Sequence, residues 1–322
     1  MIRRGFGHAE YVRLTDLSII IVSWNVADLL AACLDSILNN TPDGLAVEII
    51  VVDSASSDDT VARVRDCYPQ VKLLPQAENL GFTRCNNIGL AASGGRYVML
   101  LNPDTEIVDG ALALMVDYLD QNADVGLIGP RTLNADGSTQ STRRRFPSLP
   151  VLFLESTWLQ PFAPRAMLDN YYITDAPDDA TFDIDWAQGS ALMARRAVYQ
   201  QIGGLDEGYI MYSEEVDWCR RAQNAGWRVV YLGAARIIHH GGQSSQQVAA
   251  RSHIHFQQSK LRYTRKYHGR LAAQVLRAFL FLNYGWQLAL EAVKGLLGHK
   301  RDLRRARVRA YWQVIRSGLK VN

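Results

Sequence analysis

Cysteine is sparse in this sequence. Cys33, Cys67, Cys85 and Cys219 are the only four in 322 residues, and no two stand in a C-x-x-C spacing. That argues against a thiolate zinc site and a disulfide scaffold, and fits a reducing compartment. An excess of one charge is lacking too. Lys and Arg number 35 against 32 Asp and Glu, a formal net charge of +3, so the whole molecule carries no nucleic-acid signature. "MIRRGFGHAEYVRLTD" has no apolar core of the kind a signal peptide needs, and residues 1–16 are expected to form an extension before the first strand. Neither G-x-x-x-x-G-K-[ST] nor G-x-G-x-x-G occurs in the glycine-bearing loop, which removes support for kinase or dinucleotide chemistry. Internal repeats and low-complexity tracts are also absent. With 48% hydrophobic and 21% charged residues, the chain is an ordered globular protein, long enough for a large α/β domain and an appendage.

What is present is an alternation of buried strands and amphipathic helices. "LSIIIVSW" (17–24) and "VEIIVVDSAS" (47–56) are β-branched runs of the kind buried on both faces of a sheet. Between them Leu29, Leu30, Cys33, Leu34, Ile37 and Leu38 recur at helical spacing. A helix capped by Ser57 or Asp58, a short strand "VKLLPQ", a helix over 83–92 and a strand ending at Asn102 continue the pattern. This spacing predicts an α/β fold with a mostly parallel central sheet and helices on both faces. Beyond about residue 130 the loops lengthen, and Arg143, Arg144 and Arg145 stand in series. They are equally readable as a solvated loop or as a grip on an acceptor diphosphate.

Four stretches carry candidate chemistry. "YVMLLNPDTEI" (97–107) runs from a buried strand into Asn102, Pro103 and Asp104, placing a carboxylate at a sheet rim. Asn-Pro-Asp is good turn chemistry. It also suits a divalent ion held by one or two carboxylates and diphosphate oxygens. Asp53 ends a second buried strand, where it could bond a ribose hydroxyl or a base N–H. Helix capping does not require it, since Ser57 or Asp58 suffices. In "ENLGFTRCNN" (78–87), Gly81 admits close backbone approach and Arg84 offers a forked donor to phosphate, while Asn79, Asn86 and Asn87 suit capping or ligand contact. In "YSEEVDW" (212–218), Glu214, Glu215 and Asp217 either open a helix, where its dipole favours acids, or hold one carboxyl in the range of a general base. His239 and His240, in "IIHHGGQS" (237–244), are structural or face the same rim as Asp104. A histidine beside an aspartate suits Mn²⁺ or Mg²⁺, with the imidazole tilting preference toward manganese.

Taken in order, "SIIIVSWN", "VEIIVVDSASSDDT", "ENLGFTRCNN", "YVMLLNPDTEI", "QGSALMARRAVYQQIGGLDEGYIMYSEEVDWCRR" and "IIHHGGQS" resemble the inverting family-2 glycosyltransferases of GT-A fold, most of all the rhamnosyltransferase-type enzymes of bacterial cell-surface polysaccharide assembly. The resemblance runs from about 17 to 268. It implies that Ser23, Asn25, Asp53 and Ser54 line a nucleoside pocket with Gly81, Arg84, Asn87 and Asn102 nearby. It further implies that Asp104 and His239 bind the metal, and that Glu215 is the base with Glu214 or Asp217 as substitutes. Gly189 and Trp186 fall in the acceptor region. Two departures stand out: Asn102 replaces the first acid of a D-x-D motif, and Glu215 stands where Asp is commoner. The donor favoured is dTDP-rhamnose, with UDP-hexoses the alternative and a catalytically silent sugar-nucleotide binder the rival. A lipid-linked or polysaccharide acceptor is implied; a homodimer is left open.

Residues 269–322 read as an amphipathic, basic helical tail behind a transferase domain over 17–268. Arg270, Gln274, Arg277, Tyr284, Gln287, Glu291 and Lys294 form a narrow polar stripe on an otherwise apolar helix, and six Lys or Arg follow within 300–309. A spanning helix needs about 20 mainly apolar residues. The stripe suggests instead an in-plane helix on an anionic membrane surface, or a helix packed on its own domain. The expected location is cytoplasmic, peripheral on the inner face of the membrane. Without interleaved stacking aromatics in the basic tail, no nucleic-acid partner is expected.

Overall fold

Strand β1 (Leu17–Ser23) is buried along its whole length, as its unbroken apolar run requires. In the computed structural model, which describes residues 15–241, 249–298 and 300–320, it begins a regular alternation. There follow α1 (Ala27–Asn40), β2 (Val47–Asp53), α2 (Thr60–Cys67), β3 (Lys72–Pro75), α3 (Phe82–Ala92) and β4 (Tyr97–Leu101). Next come β5 (Thr105–Ile107), α4 (Ala111–Gln121), β6 (Val125–Leu133), β7 (Arg143–Arg144), α5 (Leu149–Leu154), α6 (Arg165–Tyr172), β8 (Thr181–Asp183) and β9 (Trp186–Ala187). The chain then forms β10 (Ala191–Arg195), α7 (Arg196–Ile202), α8 (Glu214–Asn224), β11 (Arg228–His239), α9 (Ala249–His268), α10 (Arg270–Leu296) and α11 (Arg301–Arg316). Of the expected N-terminal extension, residues 1–14 lie outside the described residues.

Among the described residues the main sheet has nine strands, ordered β3-β2-β1-β4-β10-β6-β11-β5 with β8 on β11. Strands β1, β2, β3, β4, β6 and β11 share one direction; β5, β8 and β10 oppose it. The sheet is therefore mostly parallel. Successive side chains on a strand point to opposite faces. Ile19 and Ile21 accordingly join a cluster with α1 and α4, while Ile20 joins Leu127, Trp218 and Leu276 on the other side. Both faces are covered by helices, which is what lets the central strands be apolar throughout.

Register decides where the chemistry gathers. Ser23 pairs with Asp53, and Ile21 with Leu101, so the carboxyl ends of β1, β2 and β4 share one rim. Antiparallel β10 brings its opposite end there: Ala191 pairs with Leu101, and the Asn102 amide donates to the Ser190 carbonyl at 2.9 Å.

The C-terminal helices pack over one face of this sheet. Leu261, Tyr263, Leu276, Leu280, Tyr284, Val314 and Leu319 share a hydrophobic cluster with Trp218 and Leu127. The polar stripe of α10 largely turns inward. Arg277 donates to the Gly318 carbonyl, Tyr284 accepts from Gln257, and Glu291 pairs with Arg304 of α11 at 2.6 Å. Its outer face is apolar: Leu271, Leu282 and Leu296 are 80%, 75% and 82% exposed. No helix among the described residues is long and apolar enough to cross a membrane.

Candidate active site

The rim opens into a cleft of about 820 Å³, within the range that encloses small-molecule ligands. Two loops form its throat. The 78–82 loop turns at Gly81 with φ 81°, where a Cβ would stand 3.3 Å from Ile210 Cγ2, so glycine serves both the positive φ and the close approach. Opposite it, Tyr209 lines the cleft with its hydroxyl buried and unpartnered among the described residues.

On the β1–β2 side, positive φ at Asn25 and Ala55 forms two tight strand exits. Asn25 Oδ1 accepts from the Ser57 amide at 2.7 Å, and Asp53 Oδ2 accepts from the Ser56 amide at 2.9 Å. Asn25 thus shapes the rim as a turn residue. Asp58, not Asp53, serves the start of α2, since its Oδ1 accepts from the Thr60 amide at 3.1 Å. Asp53 Oδ1 and Ser23 Oγ remain buried without partners among the described residues. Ser54 lines the cleft and donates to Asn79 Oδ1 at 3.1 Å, and Asn79 Oδ1 also accepts from the Gly81 amide. Arg84 lines it too, paired at 3.5 Å with Glu207. Both partners are more than half exposed, so that pair is weak and an incoming diphosphate could displace it at little cost.

Asp104 and His239 meet because β5 pairs antiparallel with β11, setting His239 opposite Thr105 while the His240 amide donates to the Asp104 carbonyl at 2.9 Å. His239 Nε2 lies 3.4 Å from Asp104 Oδ1, and both side chains are buried. Gln140 fixes the imidazole. Its Nε2 donates to the His239 carbonyl at 2.7 Å, so its Oε1 is the acceptor for Nδ1 at 3.0 Å. The proton therefore sits on Nδ1 and the Nε2 lone pair faces Asp104, with no hydrogen-bond partner among the described residues. Ligands adjacent on one ion with bonds of about 2.1 Å stand about 3 Å apart, so the pair fits a shared divalent cation. No cluster of three or more His, Cys, Asp or Glu ligands occurs among the described residues, which leaves other positions of the shell to ligand oxygens. His240 points to the other side of β11, 2.6 Å from Glu106.

The acids enter from α8. Tyr212 and Ser213 both have positive φ, an unfavourable backbone for residues with a Cβ, and this bend delivers Glu214 and Glu215 to the cleft. Each has one buried carboxyl oxygen without a partner among the described residues. Burial pushes Glu214 well above the usual carboxylate range, and the Glu215 charge adds to the effect. Burial also raises Glu215, opposed by the Glu215, Val216 and Gly189 amides, which favour its charged form. Gly189 packs directly on it: a Cβ there would stand 3.6 Å from Glu215 Cγ.

Ser23, Asn25 and Asp53 stand at the rim beside the residues that line the cleft, and three other expected site residues lie elsewhere. Asp217, two positions beyond Glu215 and so on the far side of the helix, is buried against Arg221 at 2.8 Å, Lys266 at 2.6 Å and the Tyr267 hydroxyl at 2.7 Å. Asn87 spends its amide on Leu205 and Glu207, tying α3 to the 203–208 loop. Trp186 is buried, donates to the Arg145 carbonyl at 2.9 Å, and lies away from the cleft. The arginine series is also engaged: Arg143 pairs with Asp178 at 2.9 Å, Arg144 lies over the Tyr172 ring, and Arg145 pairs with Asp185 at 3.5 Å. Conversely, the cleft is also lined by Trp24 and Gln188 and by His255 and Gln258 of α9, which were not expected there. Only Trp24, an aromatic at the exit of a buried strand, carried a readable signal.

Residues 18–219 match Glycosyl transferase family 2. The N-acetylglucosaminyl-diphospho-decaprenol L-rhamnosyltransferase of Mycobacterium tuberculosis is 32% identical over 219 residues, 65% of this chain and 71% of the relative. The low-salt glycan biosynthesis hexosyltransferase Agl10 of Haloferax volcanii is 27% identical over 233 residues, 71% of this chain and 67% of the relative. Among solved structures, the mannosyltransferase PcManGT from Pyrobaculum calidifontis in complex with GDP-Man and Mn²⁺ superposes with a TM-score of 0.55 at 16% identity, over 96% of this chain and 87% of that one. This last likeness is one of fold.

Proposed function

From the premise that this chain belongs to glycosyl transferase family 2 and is a glycosyltransferase of GT-A fold, we propose that it moves rhamnose from dTDP-rhamnose to a lipid-linked acceptor in cell-surface glycan synthesis. The observation carrying this reading is the convergence of Asp104, His239 and Glu215 on one cleft, where His239 Nε2 and one carboxyl oxygen each of Glu214 and Glu215 lack hydrogen-bond partners among the described residues. Buried polar groups are nearly always satisfied, so such a concentration in one cleft suits it to binding a polar ligand. The name of the mycobacterial relative supports rhamnose and a diphosphate-linked lipid; that of the haloarchaeal one keeps other hexoses open.

The nucleoside lies on the β1–β2 exits, where Asp53 Oδ1 and Ser23 Oγ await partners. Asp104 and His239 would hold Mn²⁺ or Mg²⁺, which when bound supplies charge neutralisation for a departing diphosphate. Arg84 leaves Glu207 to bind diphosphate oxygens. Glu215 accepts the proton of an acceptor hydroxyl as that oxygen forms its bond to the anomeric carbon, while the bond from that carbon to the diphosphate oxygen breaks. A single displacement inverts configuration. In this reading residues 17–268 perform the transfer, and 269–322 hold the protein peripherally on the inner face of the membrane, through the apolar face of α10 and the basic α11.

Calorimetric titration with dTDP, UDP and GDP, each with and without Mn²⁺, tests this on the wild type and on Asp104→Ala. Tight dTDP binding that requires both metal and Asp104 is expected. Binding that ignores both would overturn the metal assignment, and no nucleotide binding at all would overturn the donor site.

A further inference from the structure

Beside the cleft, the C-terminal helices enclose a second cavity of about 480 Å³. Arg265 of α9, Arg270 and Arg277 of α10, and Lys320 line it, and no carboxylate does. Among the described residues none of the four is in ion-pair distance of an acid. Four unneutralised cations facing one space repel each other, and a bound polyanion would relieve that repulsion. The cavity is also partly preorganised. Arg277 is clamped by two hydrogen bonds to the Gly318 carbonyl, at 2.9 and 2.6 Å, and Gln258 holds the Lys320 carbonyl at 3.0 Å.

Two connections indicate what the anion belongs to. Lys320 lines both this cavity and the cleft that holds Glu215, so the two spaces adjoin. On the other side, the turn of α10 that supplies Arg270 also supplies Leu271, 80% exposed, followed by Val275, 52% exposed, at the start of the apolar face. A sugar site, a cationic cavity and an apolar ridge thus follow one another, the order of parts in a glycosyl diphosphate on a long hydrocarbon chain.

Resting on the transferase reading above, we propose that Arg265, Arg270, Arg277 and Lys320 form a subsite for the diphosphate of a lipid-linked acceptor. Its sugar would enter the cleft beside Glu215, and its hydrocarbon chain would leave along Leu271 and Val275. The arginines suit this role because a guanidinium fork matches paired phosphate oxygens.

The test measures binding of farnesyl diphosphate, farnesol and phosphatidylglycerol vesicles to the full chain and to R265E/R270E, whose altered side chains are exposed. Farnesyl diphosphate should bind the wild type and farnesol should not. In the variant its affinity should fall by more than about tenfold, the scale of losing charge-assisted contacts, while Mn²⁺-dependent dTDP binding stays unchanged. The milder R265Q/R270Q should fall between them, and it decides the matter should R265E/R270E melt early. Undiminished farnesyl diphosphate binding in both variants would overturn the subsite. Loss confined to phosphatidylglycerol vesicles would overturn the acceptor assignment and make the cavity a phospholipid headgroup site. Failure of the transferase reading would appear separately, as a wild type that binds no nucleotide.

Discussion

At the residue scale, three carboxylates within four positions have three different surroundings. Glu215 is raised by burial yet faced by amides that favour its ionised form, a combination that suits a general base. Because only the ionised form accepts a proton, transfer should rise with pH through a limb above the ordinary glutamate range. Glu215→Gln should lower kcat by about 10²–10⁴ while leaving nucleotide affinity intact, as measured by steady-state kinetics beside calorimetry. Asp217 is held in a different way. It is fully buried, with both oxygens engaged by Arg221, Lys266 and Tyr267. Asp217→Asn would remove the buried charge that Arg221 and Lys266 pair with, at a cost of about 3 kcal/mol, at the low end for broken buried pairs because both cations are partly exposed. Thermal melting should fall accordingly, with dTDP affinity of the folded protein preserved. The sequence grouped these acids and could not separate them, because the two-residue step to the far side of α8 matters only once that helix is packed.

At the element scale, apolar periodicity marked the strands and helices that carry the rim, within a residue or two of where they lie. It did not say which way α10 would face. Its polar stripe read as a surface feature, yet Tyr284 and Glu291 are buried, since Gln257 and Arg304 offer better partners than water, and the apolar side lies outward. Contiguous exposed apolar surface of this kind marks an interaction site. Replacing Leu282 and Trp286, 75% and 55% exposed, by Ser should weaken flotation with phosphatidylglycerol vesicles by at least about tenfold, since burying each such side chain is worth about 1.5–3 kcal/mol. The melting temperature should hardly change, because neither side chain is buried in the free protein. Equal flotation of the variant would remove α10 from the membrane contact.

At the scale of the whole molecule, the sequence by itself determined the alternating α/β plan and the family. It also determined the residue types the chemistry needs: carboxylates and amides at strand ends, an imidazole closing the last strand, acids opening a helix. These are local properties, fixed by side-chain period and by the cost of burying polar groups. Tertiary structure decided which of them meet. Asp104 reaches His239 only because β5 pairs with β11, and Gly189 reaches Glu215 only because β10 runs antiparallel between β4 and β6. The same long-range packing withdrew Asn87 and Trp186 from the site and assembled the cationic cavity from α9, α10 and Lys320. Strand order and helix orientation depend on contacts between segments far apart in the chain, and no local pattern of residues encodes them.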